Sequence, residues 1–447
     1  MDFVHDLAAA DVPAQVIERA RCCLLDLVGV AAAGSATRLS RVVRDHAVEN
    51  HGGAGRVTRL LFDGRTASPS GAALANAATI DAIDGHDGHR ITKGHAGAAV
   101  LPAALAFAEE AALTTADLLT SLVVGYEVAN RAGMALHASA ADYHSSGAWN
   151  ALGAAAVAAR LLRLDHAATE HALGIAEYHA PRAPMMRCID HPTMVKDSSA
   201  WGAHAGVSAV LLAADGFTGA PASLLTTADQ DGFFGDLGHR WTILEQYFKP
   251  FPVCRWTHPA VHAVIGLVET HDVAPEDIAR IEVATFHEAS RLATRLPATT
   301  EQAQYSLPFP VAVAAVHRRL DPDDVAHPER LDAQVSRLAT TLQLRESMDM
   351  TAAFPARRVA DVTLVLTDGT TLSAGPTETP GDPGSEPTDL RLDEKFIRSV
   401  APRTGETRAR RMLGLLSDAE RCHLPELLAE VYAPGMDSSP PLTRRAR

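Results

Sequence analysis

The chain has 447 residues, with 40 Lys and Arg against 54 Asp and Glu, a net charge of −14 and a pI near 5.8. That balance argues against a general nucleic-acid or anionic-membrane surface, because neutralising phosphates needs excess positive charge; a local basic pocket for a small anion stays open. Aromatic residues make up 5% against 47% hydrophobic residues, which disfavours an all-β fold and predicts cores of Ala, Leu and Val in closely packed helices.

From Val12 to about Gly216 the sequence is a succession of Ala- and Leu-rich stretches with helical periodicity. Helices are predicted at Pro13–Ala33, Thr114–Gly133, Ser146–Leu162 and Ser198–Ala214, with Ser145 or Ser146 as a cap. After about His271 the character changes. Arg280–Phe286 alternates with period two, and Val359–Ala374 reads as a hairpin around Asp368-Gly369. A helix is expected from Ser306 to Arg318, a loop from Gly375 to Gly384, and helix again from Asp393 to Tyr432. The fold class is therefore mainly α with an α+β insertion. A large all-helical domain would be built from both chain ends (1–265 and 391–447), and a smaller α/β lid domain would occupy 266–390. The basic tail Arg444–Arg447 is expected to be a frayed, solvated end.

Five cysteines with no CxxC pair indicate neither a disulfide nor a zinc framework. The start, Met1–Asp6, lacks the basic residues of a signal peptide, and no apolar run reaches the roughly 18 residues of a spanning helix, so a cytoplasmic protein is expected.

Four lysines stand against 36 arginines, and three of the four lie near histidine: Lys93 before His95, Lys196 after His191, and Lys249 before His258. A compact ammonium with a tunable pKa is the reason to retain lysine in such a chain. Lys395 fits a surface residue on a helix. Asp84, His86, Asp87, His89 and His95 fall within twelve residues, interrupted by glycines. Carboxylate and imidazole together suit general acid–base work; metal binding and a satisfied polar loop are the alternatives, and the spacing matches no standard zinc signature. His144 precedes an alanine-rich helix and could face a cleft or be structural. Arg187, His191 and Lys196 share one loop that could hold carboxylates. A second cationic loop carries Lys249, Cys254, Arg255 and His258, in which Arg255 either serves the site or stacks on Trp256. Met185-Met186 is expected to pack, and no triad partner supports Cys254 as a nucleophile.

Several ordered motifs resemble those of the MmgE/PrpD family, which includes 2-methylcitrate dehydratase, cis-aconitate decarboxylase and iminodisuccinate epimerase. They are Asp84…His95-Ala96-Gly97, Tyr143-His144-Ser145-Ser146-Gly147, Met194-Val195-Lys196, Asp215-Gly216-Phe217-Thr218-Gly219, Tyr247-Phe248-Lys249-Pro250-Phe251-Pro252 and Gln304-Tyr305-Ser306-Leu307-Pro308-Phe309. The resemblance implies a helical domain with an inserted α/β lid, a homodimer, and no organic cofactor or metal. It also implies cleft positions at Asp84, His95, His144, Lys196 and Lys249, with His258 beside them; Lys93 matches none of them. His89, Arg187, Cys254, Arg255 and His258 are the candidate substrate contacts. Gly88 stands where many members have threonine, Ala96 replaces a proline, and Cys254 stands where the decarboxylase-type pattern has histidine.

Reactions in this family create carbanion character beside a carboxylate, so Lys196 and Lys249, helped by Arg187 or Arg255, would anchor carboxylates and offset charge, while Asp84, His95 and His144 share base and acid roles. The implied activity is a lyase, first a dehydratase of a small hydroxy-polycarboxylate. Epimerisation of a polycarboxylate is the runner-up, followed by decarboxylation, a non-catalytic carboxylate-binding homologue and a metal-dependent hydrolase.

Overall fold

The computed structural model describes residues 1–52, 55–226, 231–330, 332–383, 391–418 and 422–436. The expected tail at Arg444–Arg447, the end of the 375–384 loop and the domain boundary expected at 390 lie outside the described residues.

The first core is helical. Its main helices are α1 (Ala14–Gly34), α2 (Pro69–Asp81), α3 (Thr115–Ser139), α4 (Gly147–Leu161) and α5 (Ser199–Ala214). Thr114 starts α3 with a reciprocal cap: its Oγ1 accepts from Asp117 N at 3.2 Å while Asp117 Oδ2 accepts from Thr114 N at 3.0 Å. Ser146 does not cap α4; its hydroxyl is committed elsewhere, as described below. Helix α4 is buried on every side from Gly147 to Ala159, which its run of alanines allows. At Gly153 a Cβ would lie 2.5 Å from the carbonyl of Gly125, so α3 and α4 cross at a distance only glycine permits.

The second core gathers an α/β segment. Helices α6 (His258–Thr270), α7 (Pro308–His317) and α8 (Ala333–Thr341) pack with a four-stranded sheet. With β1 (Gly88–His89) and β2 (Gln246–Tyr247) forming a short antiparallel ladder in the helical part, the sheet strands are β3 (Ile278–Thr285), β4 (Gln343–Glu346), β5 (Ala360–Leu366) and β6 (Thr371–Thr377), in the order β4-β3-β5-β6. Only the β3–β4 pair is parallel. Ile278, Ile281 and Val283 of β3 and Val362 and Leu364 of β5 are buried, the alternation expected of a sheet covered by helices on one face. The fold is thus mainly α with an α/β part. The boundary expected at 265 falls inside α6, whose buried Val261, Val264 and Val268 belong to the second core, as do Met185 and Ile189.

The chain then returns to the first core through α9 (Leu392–Thr404), α10 (Glu406–Ser417) and α11 (Leu424–Tyr432), which contribute Phe396, Val400, Met412, Leu416, Leu427 and Val431. Lys395 is not a surface residue. It lies on the inward face of α9 at 9% exposure, where its ammonium pairs with buried Asp26 of α1 and donates to the carbonyl of Gly85 at 2.7 Å. Among the described residues no single helix is long and apolar enough to cross a membrane, although α1 and the following Arg38–Asn50 helix, bent by 92°, pass that test together by length and composition.

Candidate active site

The segment from Asp84 to His95 is held from three sides. Helix α2 ends at Asp81, and Asp84 N donates back to Asp81 O at 3.0 Å. The β1–β2 ladder brings Gly88 opposite Tyr247, which delivers Lys249 to the same place. At the start of α4, Ser146 Oγ accepts from His95 N at 2.9 Å and Asn150 Nδ2 donates to His95 O at 3.0 Å. Asp84, Lys93 and Lys196 all have left-handed backbones, with φ of 49°, 52° and 48°. Such conformations in non-glycine residues cost of order 1–3 kcal/mol each and cluster at functional sites.

The resulting cavity has a volume of about 30 Å³ and lies where the Asp84–His95 segment, which follows helix α2, meets Met185, Ile189, Cys254, Trp256 and Tyr305 of the second core. Lys249 Nζ donates to Asp84 Oδ1 at 2.7 Å and to Asp84 O at 2.9 Å. Burial alone would raise the Asp84 carboxyl; the ammonium groups of Lys249 and Lys196 override it and hold the group well below the usual carboxylate range. His95 Nδ1 lies 2.6 Å from the carbonyl of Asp87, so that nitrogen carries the proton and Nε2, 4.0 Å from Asp84 Oδ1, keeps its lone pair. Burial, then His86 and Lys249, push the imidazole well below its ordinary value. His95 is therefore a neutral base beside a positively compensated carboxylate.

Lys196 is bound at its ammonium by Gln304 Oε1, lies 3.8 Å from Asp81 Oδ1 and sits over the ring of Tyr305 at 5.1 Å. Gln304 in turn donates to Ala82 O at 2.7 Å. The next residue, Asp197, lines the cavity and accepts from Ser146 N at 2.9 Å and from the Ser146 hydroxyl. Burial, with Asp81 nearby, raises its carboxyl to about 8. One ionised and one protonated carboxyl thus share the cavity.

Cys254 lines the cavity as a neutral thiol, raised to about 12 by burial and by Asp84. Arg255 also lines it; its guanidinium lies over the ring of Tyr247, not Trp256, at 5.1 Å and pairs with Asp382 at 3.1 Å. Lys93 lines it too, with its ammonium 4.4 Å above the ring of Tyr143.

Other sequence-predicted residues stand apart. His258 is fully buried; Nε2 lies 3.0 Å from Val253 O and Nδ1 faces Arg255 Nη1 at 3.4 Å. His89 is buried between Glu245 Oε2 at 3.3 Å and Thr92 N at 3.3 Å. His144 is half-buried outside the cavity, with Nδ1 2.8 Å from Asp142 O. Arg187 is exposed and, with His191 and Lys196, lines a neighbouring open cavity of about 390 Å³. Tyr247, Tyr305, Asp197 and Arg358 line the cavity without having been singled out from the sequence. The adjacency of Asp197 to Lys196 and the Tyr247–Pro252 and Gln304–Phe309 motifs were available signals for three of them.

Asp84, His86 and His95 bring possible metal-ligand atoms within 4.8 Å of one another. The donor set does not favour a divalent ion there, because the Lys249 ammonium, 2.7 Å from Asp84 Oδ1, already neutralises the one carboxylate of the group.

Gly88 has a specific steric cause. A Cβ there would lie 2.5 Å from Tyr247 Oη and 2.9 Å from His95 Nδ1, so the phenol of Tyr247 occupies the space a larger residue would need.

Comparison with known proteins finds a cis-aconitate decarboxylase-like protein of Aspergillus oryzae, 30% identical over 233 residues, 49% of this chain and 46% of that one. A cis-aconitate decarboxylase of Aspergillus terreus is 26% identical over 290 residues, 59% of this chain and 58% of that one. The human cis-aconitate decarboxylase is 24% identical over 396 residues, 83% and 80% of the two chains. The chain thus spans about half the length of the two Aspergillus proteins. The model of the MmgE/PrpD N-terminal domain matches residues 1–240 and that of the C-terminal domain residues 251–419. With both matched in order, on either side of the segment that carries Lys249, this protein belongs to the MmgE/PrpD family.

Proposed function

We propose that this protein is a cofactor-independent lyase that removes the proton beside a carboxylate of a small hydroxy-polycarboxylate and expels the neighbouring hydroxyl, a dehydratase. The observation that carries this reading is the neutral His95, its Nε2 lone pair directed toward the Asp84–Lys249 pair in a cavity rich in cations. The difficult step is taking a proton from carbon next to a group that is already negative. Fixed cations in a dry site lower that barrier by stabilising the enediolate-like charge.

In this mechanism His95 Nε2 accepts the α-proton and the electron pair moves onto the carboxylate held by Lys249. The pair then returns to form the carbon–carbon double bond, and hydroxide departs with a proton from Asp197, leaving as water. A carboxyl that titrates near neutrality suits that donor role. A cavity of about 30 Å³ holds a water or two, so a polycarboxylate enters when the two cores separate. The active unit is proposed to be a homodimer, for which the exposed Trp201, Leu212 and Phe217 on and after α5 offer an apolar face.

Decarboxylation is the second reading, because the relatives carry that name, and the same cations would hold the carbanion left by carbon dioxide. Against it, Cys254 offers a neutral thiol where that pattern has imidazole. Proton NMR in deuterium oxide, with a panel of di- and tricarboxylates, separates the cases. New vinyl signals with all carboxyl groups retained mean dehydration; loss of a carboxyl means decarboxylation; deuterium at the α-carbon without net loss means epimerisation. An unchanged panel would overturn the lyase reading.

A further inference from the structure

Arg358, just before β5, is 4% exposed and lines the cavity. Its guanidinium offers five N–H donors. Nη2 donates to Arg90 O at 3.2 Å, and the group lies over the ring of Tyr247 at 5.1 Å. Among the described residues Nε and Nη1 are buried and find no hydrogen-bond partner, and Asp382 stands 3.9 Å from Nη1. A buried guanidinium that leaves donors idle is costly unless something else occupies them.

Lys93 adds a second such group. Among the described residues its ammonium has no ion pair within 4 Å, only the Tyr143 ring beneath it. After burial, Glu288 and then Arg358 act on Lys93, whereas the cations acting most strongly on Asp84 are Lys249 and Lys196. Cys254 feels both Lys249 and Arg358. The cavity therefore carries two cationic ends: Lys249, paired with Asp84, and Arg358 of the α/β part together with Lys93 of the Asp84–His95 segment, with the Asp382 carboxylate 3.9 Å from Arg358 Nη1.

We infer that Arg358 and Lys93 form a second carboxylate subsite, which takes the non-reacting carboxylate of a di- or tricarboxylate while the reacting one lies at Lys249. This rests on the proposed carboxylate lyase reading and narrows it: a monocarboxylate cannot satisfy both ends. Nε and Nη1 lie on the two opposite edges of the Arg358 guanidinium, each edge shared with Nη2; Arg90 O takes one Nη2 hydrogen, so the other, with Nε or Nη1, leaves one edge for a carboxylate in a bidentate pair. Arg358 is a specificity determinant in this account; proton transfer remains with the groups at the other end.

The experiment compares binding of succinate and succinamate, which differ only in the charge of one end, to the full-length chain by titration calorimetry. The wild-type protein is expected to prefer succinate by at least about tenfold, the scale of a hydrogen-bonded charge pair. Arg358→Gln should weaken succinate by at least about tenfold and leave succinamate unchanged, so that the preference collapses; Arg358→Lys should restore part of it. Lys93→Met, at a half-buried position, should reduce the same preference and keeps the test informative should Arg358→Gln fail to fold. If both Arg358→Gln and Lys93→Met retain the full preference for succinate, the subsite is overturned while the lyase reading stands. If wild-type protein binds neither acid, nor any of the NMR panel, the lyase reading falls and the subsite with it.

Discussion

Lys249 Nζ lies 2.7 Å from Asp84 Oδ1, and the two side chains are only 1% and 4% exposed. A pair so deeply buried is sensitive to the loss of one member, because the survivor keeps its charge without compensation. Lys249→Met is expected to destabilise the protein by about 3–5 kcal/mol in urea denaturation. The double variant Lys249→Met/Asp84→Asn should recover much of that loss while remaining inactive. Equal stability of wild type and Lys249→Met would mean that Asp84 is not held as a carboxylate.

His95→Ala and Lys196→Ala should each lower turnover at least about a hundredfold, the scale for losing a positioned catalytic group. Far-ultraviolet circular dichroism should show both variants folded. Near-normal rates in both would remove these residues from the chemistry.

Asp197 gives the reaction an alkaline limb. If its carboxyl supplies the proton, kcat should fall as pH rises through about 8, and Asp197→Asn should abolish that limb along with most of the rate. Stability moves in a fixed direction as well. The folded carboxyl titrates above its unfolded value, so its contribution is fully present below about pH 4 and is lost as pH rises through about 8. Thermal unfolding of wild type and Asp197→Asn between pH 5 and 8 should therefore diverge in the variant's favour by up to about 1.4 kcal/mol per pH unit. A constant difference would show that Asp197 is ionised throughout.

Gly88→Thr should be poorly tolerated, because the new Cβ would meet Tyr247 Oη at 2.5 Å and would force the ring away from Arg255 and Arg358. A loss of about 1–3 kcal/mol is expected from overpacking. Tyr247→Ala in the same chain should relieve it. Failure of the second change to rescue the first, in a double-mutant cycle, would place the strain elsewhere.

The helical class and the α/β insertion are legible in the sequence because burial imposes periodicity: α3 and α4 start within a residue of the expected caps, and β3, β5 and β6 carry the alternation and the Asp-Gly turn that announce them. The lysines at 196 and 249 were legible as chemistry through their rarity. What was hidden depends on pairing over long separations. Lys395 reads as an exposed helical residue until Asp26, 369 positions away, is seen to receive it. Arg358 carries no local signal, being one of many arginines until Tyr247 and Lys93 converge on it. His258 and His89 looked like cleft groups because histidine near lysine is suggestive, yet their ring nitrogens face partners within the core.

The inward turn of the lysines has a practical corollary. Lys196, Lys249 and Lys395 are 3%, 1% and 9% exposed and Lys93 is half-buried, so the outer surface offers acylating reagents little beyond the N-terminal amine. Covalent labelling with an amine-selective ester becomes a clock for the separation of the two cores: modification of Lys196 and Lys249, followed by mass spectrometry, should be slow in the free protein and slower still with a bound dicarboxylate, while the N-terminus reacts at an unchanged rate.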